Sequence, residues 1–415
     1  MHSLGKNSQI VLTWLVCIAF VGMFFSVVVS NILLITLFSF CLINLRPSEI
    51  LKNLRQDLLT KLAVGFYLLH LLSLIYTNDI QKGLFILEKK SSILLFPILL
   101  LPTLQKIEIH KNLFKFLGCI AFLSSFIMII VAGYKKIFLL NYNAFYFENI
   151  TPIDYVYYAL YFSCGSIILI EVSFEQWLKK KYGTIVIAFM FIYCLGILIL
   201  IASKTGIIFF TLTSFFVLYK KISNKKVFTT SIIAILMVLF VLFYLNKTTR
   251  ERFTEMAQHL NVLTQEGPIK DTDITDLNMR LLFWKISITH SWRDNYFLSG
   301  VGPGDAQNYL DSLYTLPDYK LYGYVGWDSH NQWVYTYIQL GVFGLLLLAI
   351  LYLNCFVLAF KKMDLKFISF LLLIFGFSLS ESILESNKGI VFFALFITLF
   401  IGVRGEMNLD GSCAK

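Results

Sequence analysis

Residues 328–344 read DSHNQWVYTYIQLGVFG. The stretch closes a long polar segment at Asp328-Ser329-His330-Asn331 and opens an apolar run through Gly341-Val342-Phe343-Gly344. A run of this length and apolarity predicts a helix that crosses a bilayer. It places a histidine at the water edge of a membrane helix, and the chemistry of the protein is expected there.

The rest of the chain has the same character. Its 415 residues are 58% hydrophobic with a mean hydropathy of +0.74, and spanning-length apolar runs recur along almost the whole sequence. The predicted fold class is an all-α polytopic membrane protein. About twelve spans are expected, near 10–29, 31–45, 58–76, 91–104, 113–133, 155–172, 184–202, 205–219, 228–246, 333–354, 366–380 and 388–403. The organisation is then nine helices in 1–246, a loop over 247–332, and three helices with a tail in 333–415. No cleavable signal peptide is expected, because the first apolar run lacks a small-residue cleavage site and is followed at once by another.

Charge placement argues against nucleic acid as a partner despite a formal net charge of +10. Residues 247–329 hold 8 Lys+Arg against 11 Asp+Glu, which leaves 27 against 14 for the remainder. The cationic excess falls in alternate short loops: Arg46/Lys52/Arg55, Lys106/Lys111, Lys179-Lys180-Lys181, Lys220-Lys221/Lys225-Lys226 and Lys361-Lys362/Lys366. The positive-inside rule makes that set cytoplasmic, with both termini. The 247–332 loop, the Ser203-Lys204-Thr205 turn and the loop around Glu381 and Glu385 then share the opposite face.

The cysteines, Cys17, Cys41, Cys119, Cys164, Cys194, Cys355 and Cys413, fall in apolar runs or the tail and form no CxxC pair. They read as small membrane-core residues, not disulfides or metal ligands. Asp271-Thr272-Asp273 has the look of a metal-binding DxD pair, but in a polar run it fits a solvated loop better. No metal and no cofactor are expected. Gly300-Val301-Gly302-Pro303-Gly304 is a turn cluster; with no strand before it, it does not make a dinucleotide fingerprint.

Several residues on the expected outer side could carry chemistry. His330 could act as a general base, since an imidazole titrates near neutrality; an interfacial histidine bonded to a headgroup fits the same placement. Arg280 lies on a helix whose Leu277, Leu281, Trp284 and Ile288 share a face, and its fork suits a phosphate. Snorkelling to headgroups is the alternative. Lys204 sits between two spans with almost no loop to solvate it. Gly341 and Gly344 would let a helix or a lipid chain approach, and helix packing explains them nearly as well. Glu381 and Glu385, four apart with Lys388 nearby, read best as a helix-end ion pair. Glu251 to Val262 looks like an interfacial helix.

His330-Asn331, nine residues, then Gly341-Val342-Phe343-Gly344 resembles the signature of the O-antigen ligase family. Arg280 with Trp284, the 300–304 turn and the long loop before a late span resemble the same family. The likeness is firm over about 200–405 and only topological before that. It implies a metal-independent membrane glycosyltransferase of the GT-C type. Such enzymes move a glycan from undecaprenyl diphosphate to a lipid A-core acceptor on the periplasmic face of a bacterial inner membrane. His330 then matches the essential histidine and Arg280 the loop arginine, while Lys204 stands where a second arginine is usual. Lysine keeps the charge and loses the two-pronged donor geometry. Asn331 would orient the histidine or a sugar, and Trp284, Gly341 and Gly344 would line the substrate groove. An O-antigen polymerase or a protein O-oligosaccharyltransferase would use the same donor. A transporter fits less well, since no internal repeat is visible and the polar residues gather at one face.

Overall fold

The computed structural model describes residues 6–107, 109–110, 112–140, 147–179, 181–222, 224–245, 250–251, 254, 276–317, 319 and 321–403. Asp271-Thr272-Asp273 and most of Glu251 to Val262 lie outside them. Among the described residues the regular structure is entirely helical, as composition predicts.

In order, the helices are α1 (Lys6–Phe25), α2 (Val27–Asn44), α3 (Pro47–Gln56), α4 (Leu58–Ser73), α5 (Ile80–Leu95), α6 (Leu101–Lys106), α7 (Leu113–Phe138), α8 (Phe147–Ile150), α9 (Tyr155–Leu178), α10 (Gly183–Leu200), α11 (Lys204–Lys221) and α12 (Lys225–Leu245). Then follow α13 (Asp276–Arg293), α14 (Ala306–Tyr314), α15 (Gln332–Lys361), α16 (Leu365–Ser378) and α17 (Asn387–Gly402). Short polar side chains cut the apolar sequence into these pieces. Ser26, Asp57, Asp79, Asp154, Ser203, Asn331 and Asp364 each accept a hydrogen bond from a first-turn N–H, satisfying donors that a helix start leaves open.

A helix overlies every one of the twelve predicted apolar stretches. Those both long and apolar enough to cross a bilayer are Lys6–Phe25, Val27–Asn44, Leu113–Phe138, Tyr155–Phe174 and Gln332–Lys361, joined by shorter apolar helices at Leu58–Ser73, Ile185–Leu200, Leu365–Ser378 and Asn387–Gly402. The largest departure is at 91–104, where helix runs from Ile80 through a π-turn at Phe96–Leu100 to Lys106. Lys82, Glu88, Lys89 and Lys90 disguised its first half as loop.

α17 runs through the middle of the bundle, buried on nearly every side. A helix apolar all round belongs in such a place. Its Phe392, Phe396 and Phe400 stack among Phe20, Phe114, Phe367 and Phe370. The outer surface of the bundle is also apolar, with Ile32, Ile35, Ile43, Ile130 and Phe189 exposed. Apolar side chains outside a well-packed bundle suit a lipid surround.

A second core belongs to the 276–331 unit: Met279, Leu282, Phe283, Ile286, Leu310, Leu313, Tyr314 and Leu321 pack with Val334, Tyr335 and Ile338 of α15. The first turns of α15 are therefore part of this unit. The predicted face of α13 is rotated, since Leu281 and Trp284 are half-buried and Ile288 is exposed, while Met279, Phe283 and Ile286 face inward.

The join between unit and bundle is Gly341, where α15 breaks with φ +62° and ψ −157°. The 297–302 strap lies against the break, with Val301 N–H donating to Ile338 O (2.9 Å), Gly302 N–H to Gln339 O (3.0 Å) and Val342 N–H to Phe297 O (2.8 Å). A Cβ on Gly341 would sit 2.2 Å from the Leu298 carbonyl, and one on Gly300 2.4 Å from that of Gln339. Backbone contact this close, at positive φ, leaves room for glycine alone. A second latch joins the unit to the α4–α5 turn, where the Asp305 carboxylate accepts from Asn78 N (2.6 Å) and Asp79 N (3.0 Å).

Candidate functional site

The site lies where α13, the 328–331 loop and the 379–386 turn meet. His330 has φ +46°, a left-handed conformation that histidine tolerates better than most residues but that still costs about 1–3 kcal/mol. Its N–H donates to Asp328 Oδ1 at 2.7 Å, and Asn331 begins α15 by accepting from Trp333 N (2.9 Å) and Val334 N (3.1 Å). The loop is thus pinned on both sides of the imidazole.

Glu381 is the centre of the cluster. Its Oε2 accepts from His330 Nδ1 at 3.1 Å, and its Oε1 accepts from Arg280 Nη2 at 3.0 Å. Arg280 Nη1 also donates to Ser380 O at 2.6 Å. The three side chains are 17–21% exposed, so the contacts are largely shielded from water. A carboxylate against Nδ1 selects the tautomer in which Nδ1 carries the proton. Nε2 is then the basic nitrogen, and it is buried with no hydrogen-bond partner.

Burial by itself would lower the His330 pKa. The Glu381 hydrogen bond and charge, then the Asp328 charge, outweigh burial and Arg280, and raise it above the ordinary histidine value. Asp328 is itself pushed up, by burial first and against the pull of His330.

Of the other predicted residues, Trp284 and Asn331 hold the loop and turn of this cluster. Trp284 Nε1–H donates to Ser329 O at 2.8 Å, holding the loop from the α13 side. Asn331, besides capping α15, donates from Nδ2 to Leu379 O at 3.1 Å and so ties the histidine loop to the glutamate turn. Lys204 begins α11 beside Thr205, whose hydroxyl meets Ser380 Oγ at 2.7 Å. The α10–α11 turn that carries it includes another left-handed residue, Ala202, with φ +54°. Gly341 is accounted for by the helix break, and Gly344 is buried one turn beyond it.

Glu381 and Glu385 do not pair along one helix with Lys388. The 379–386 segment is a turn with a single 3-10 element at Ile383–Glu385. Glu381 faces the histidine and Glu385 points into the bundle, while Lys388 Nζ lies 5.5 Å over the Tyr157 ring. Sequence reasoning also passed over Trp327, whose exposed ring lies edge-on 5.5 Å from His330. Its signal was adjacency to the Asp328–Asn331 stretch. Among the described residues no group of three or more His, Cys, Asp or Glu is placed to hold a metal ion.

Fold and site together define a polytopic helical membrane protein with a histidine–carboxylate–arginine cluster at one end of its bundle. Residues 189–349 match the O-antigen ligase family, a segment that includes Lys204, Arg280, Trp284, His330, Asn331, Gly341 and Gly344. Glu381 lies beyond the matched residues. No curated protein matches the chain. The family implies a membrane enzyme of glycosyltransferase or ligase type.

Proposed function

We propose that the protein is a glycan ligase that moves a polysaccharide from undecaprenyl diphosphate to a lipid A-core acceptor at the periplasmic face of the bacterial inner membrane. The observation that carries this reading is His330, held through Nδ1 by a Glu381 carboxylate that it shares with Arg280, with its Nε2 unpartnered. In the reaction the acceptor hydroxyl attacks the anomeric carbon of the donor sugar. The carbon–oxygen bond to the diphosphate breaks, its electron pair leaves with the diphosphate, and the hydroxyl proton passes to His330 Nε2. A base at Nε2 and cations for the leaving group are what such a step needs.

Arg280 has two parts here. A guanidinium carries five N–H donors in a fixed fork; two of them orient Glu381 and Ser380, and its charge faces the departing diphosphate. Lys204 adds a second cation without the fork. Both termini are cytoplasmic by the placement of Lys and Arg in alternate loops, which puts the 276–331 unit outside.

The test is a strain lacking the protein, complemented with wild type, His330→Ala or Arg280→Ala, from which lipopolysaccharide and lipid-linked glycan are extracted in parallel. Loss of the high-molecular-weight ladder, with full-length glycan retained on the diphosphate carrier, is expected for both variants. Accumulation of single repeat units would make the protein a polymerase. An intact ladder with loss of glycoproteins would make it a protein O-oligosaccharyltransferase, and wild-type transfer by His330→Ala at normal protein levels would remove the base from the scheme.

A further inference from the structure

Lys90 is a lysine with nowhere to snorkel. It lies ten residues into α5, about 15 Å from the helix start at 1.5 Å per residue, and its side chain is 1% exposed. Its Nζ donates to Leu384 O at 2.9 Å and to the Glu385 carboxylate. The same carboxylate accepts from Gln332 Nε2 at 3.2 Å and from Gln339 Nε2 at 3.1 Å. Gln332 Oε1 in turn accepts from Leu384 N at 2.6 Å. Gln332 and Gln339 are both fully buried and seven residues apart, so they share one face of α15 above its break. Residues 384–385 are therefore gripped through N–H, carbonyl and side chain by two separate helices.

Such a network is a poor way to gain stability, because desolvating two charges costs about as much as their attraction returns, and apolar residues of similar size often do better. What it does supply is position. Glu381 is four residues before Glu385 on a turn whose first residues, Leu379 and Ser380, are tied to Asn331, Arg280 and Thr205, while Ile383 and Leu384 further along are fully buried. The apolar contacts of Ile383 and Leu384 alone would let the far end of the turn shift along the bundle axis. The ion pair and the two glutamines fix it to α5 and to the part of α15 that belongs to the 276–331 unit.

We infer that the Lys90–Glu385 pair, with Gln332 and Gln339, is the device that sets the 379–386 turn at the height where Glu381 meets both His330 and Arg280. Lys90 and Glu385 are positioning residues, acting through Glu381. The inference deepens the proposed function, and rests on it for its effect on transfer. The charged groups that face His330 are Glu381 from the turn, Asp328 from its own loop and Arg280 from α13, and only the first of these is held by the pair.

The test uses the full-length protein with both charges removed, Lys90→Met/Glu385→Gln. Each single variant leaves an uncompensated buried charge and is expected to reduce protein level. The double variant keeps the side-chain volumes, and a turn of the Gln339 amide satisfies the new one. Two properties are then read: transfer kinetics, and the pH midpoint of His330 modification by diethyl pyrocarbonate, followed by peptide mass spectrometry. The expected result is a folded double variant whose kcat falls on the order of 10²-fold, the scale of a misplacement of about 1 Å, with KM for the lipid-linked donor unchanged and the His330 midpoint lowered. A midpoint equal to that of wild type overturns the inference. The midpoint does not depend on which reaction is catalysed, so a lowered midpoint with undiminished transfer supports the positioning and removes instead the catalytic role of His330.

Discussion

Replacing Glu381 by glutamine tests the centre of the site. Glutamine keeps the shape and one acceptor, and Arg280 remains bonded to Ser380 O, so the turn is expected to hold. Two charge-assisted hydrogen bonds end on the carboxylate, from His330 at 3.1 Å and Arg280 at 3.0 Å, and each contributes about 1.5–3 kcal/mol in a shielded setting. The histidine bond is the one that strengthens as the imidazole takes a proton, so it acts mainly on the transition state. Losing about 3 kcal/mol there slows the step on the order of 10²-fold, at 1.36 kcal/mol per decade.

The pH dependence gives an independent sign. Transfer needs Nε2 unprotonated, so activity rises with pH through a His330 pKa that lies above the ordinary value. In Glu381→Gln the carboxylate that does most to raise it is gone and Asp328 alone still raises it, against burial and Arg280, so the acidic limb moves to lower pH. For stability, a histidine with a raised pKa contributes fully below its unfolded pKa, and the contribution is lost as pH rises through the folded value. Thermal unfolding of wild type should weaken across that window, and that of Glu381→Gln should change less. The assay is transfer from a lipid-linked donor in membranes across pH. Undiminished kcat together with an unmoved acidic limb would refute the role assigned to the carboxylate.

Arg280→Lys keeps a cation but cannot hold Ser380 and Glu381 at once in a fork, so transfer should drop by roughly 10- to 100-fold, the size of one lost charged hydrogen bond, with normal protein levels on immunoblot. Gly341→Ala forces a Cβ against the Leu298 carbonyl at positive φ; it should cost about 1–3 kcal/mol or more and expose the 276–331 unit to limited proteolysis. Asn331→Asp keeps the acceptor for Trp333 and Val334 N–H but loses the donor to Leu379 O. Asn331→Ala loses both, so only the alanine variant should show the additional cap loss of about 1 kcal/mol in thermal unfolding.

The helices were legible because their signals are local. Apolar runs of spanning length are bounded by Ser, Asp and Asn, and the structure caps helices with those residues at Ser26, Asp57, Ser203, Asn331 and Asp364. His330, Arg280 and Lys204 were legible as polar residues at the edges of apolar helices, and their family match runs through one continuous stretch. α5 was not, since a helix whose Lys90 finds its counter-charge 295 residues away shows nothing nearby to hide it. The polar stripe Gln332, Thr336 and Gln339 on an otherwise apolar run was the available hint that something charged would meet that face.

Glu381 marks the division most clearly. In sequence it is one of two glutamates four apart with a lysine after them, a pattern whose commonest outcome is a helix-end ion pair. The chain instead turns at 379–386, so spacing along a helix no longer governs which side chains meet. The apolar pattern and its caps determined that the protein is a bundle of membrane helices with its polar chemistry at one end. Which carboxylate meets the histidine, and which is drawn down to a buried lysine, was decided by tertiary packing, because an unpaired charge is too costly to bury and takes whatever partner the fold brings within reach.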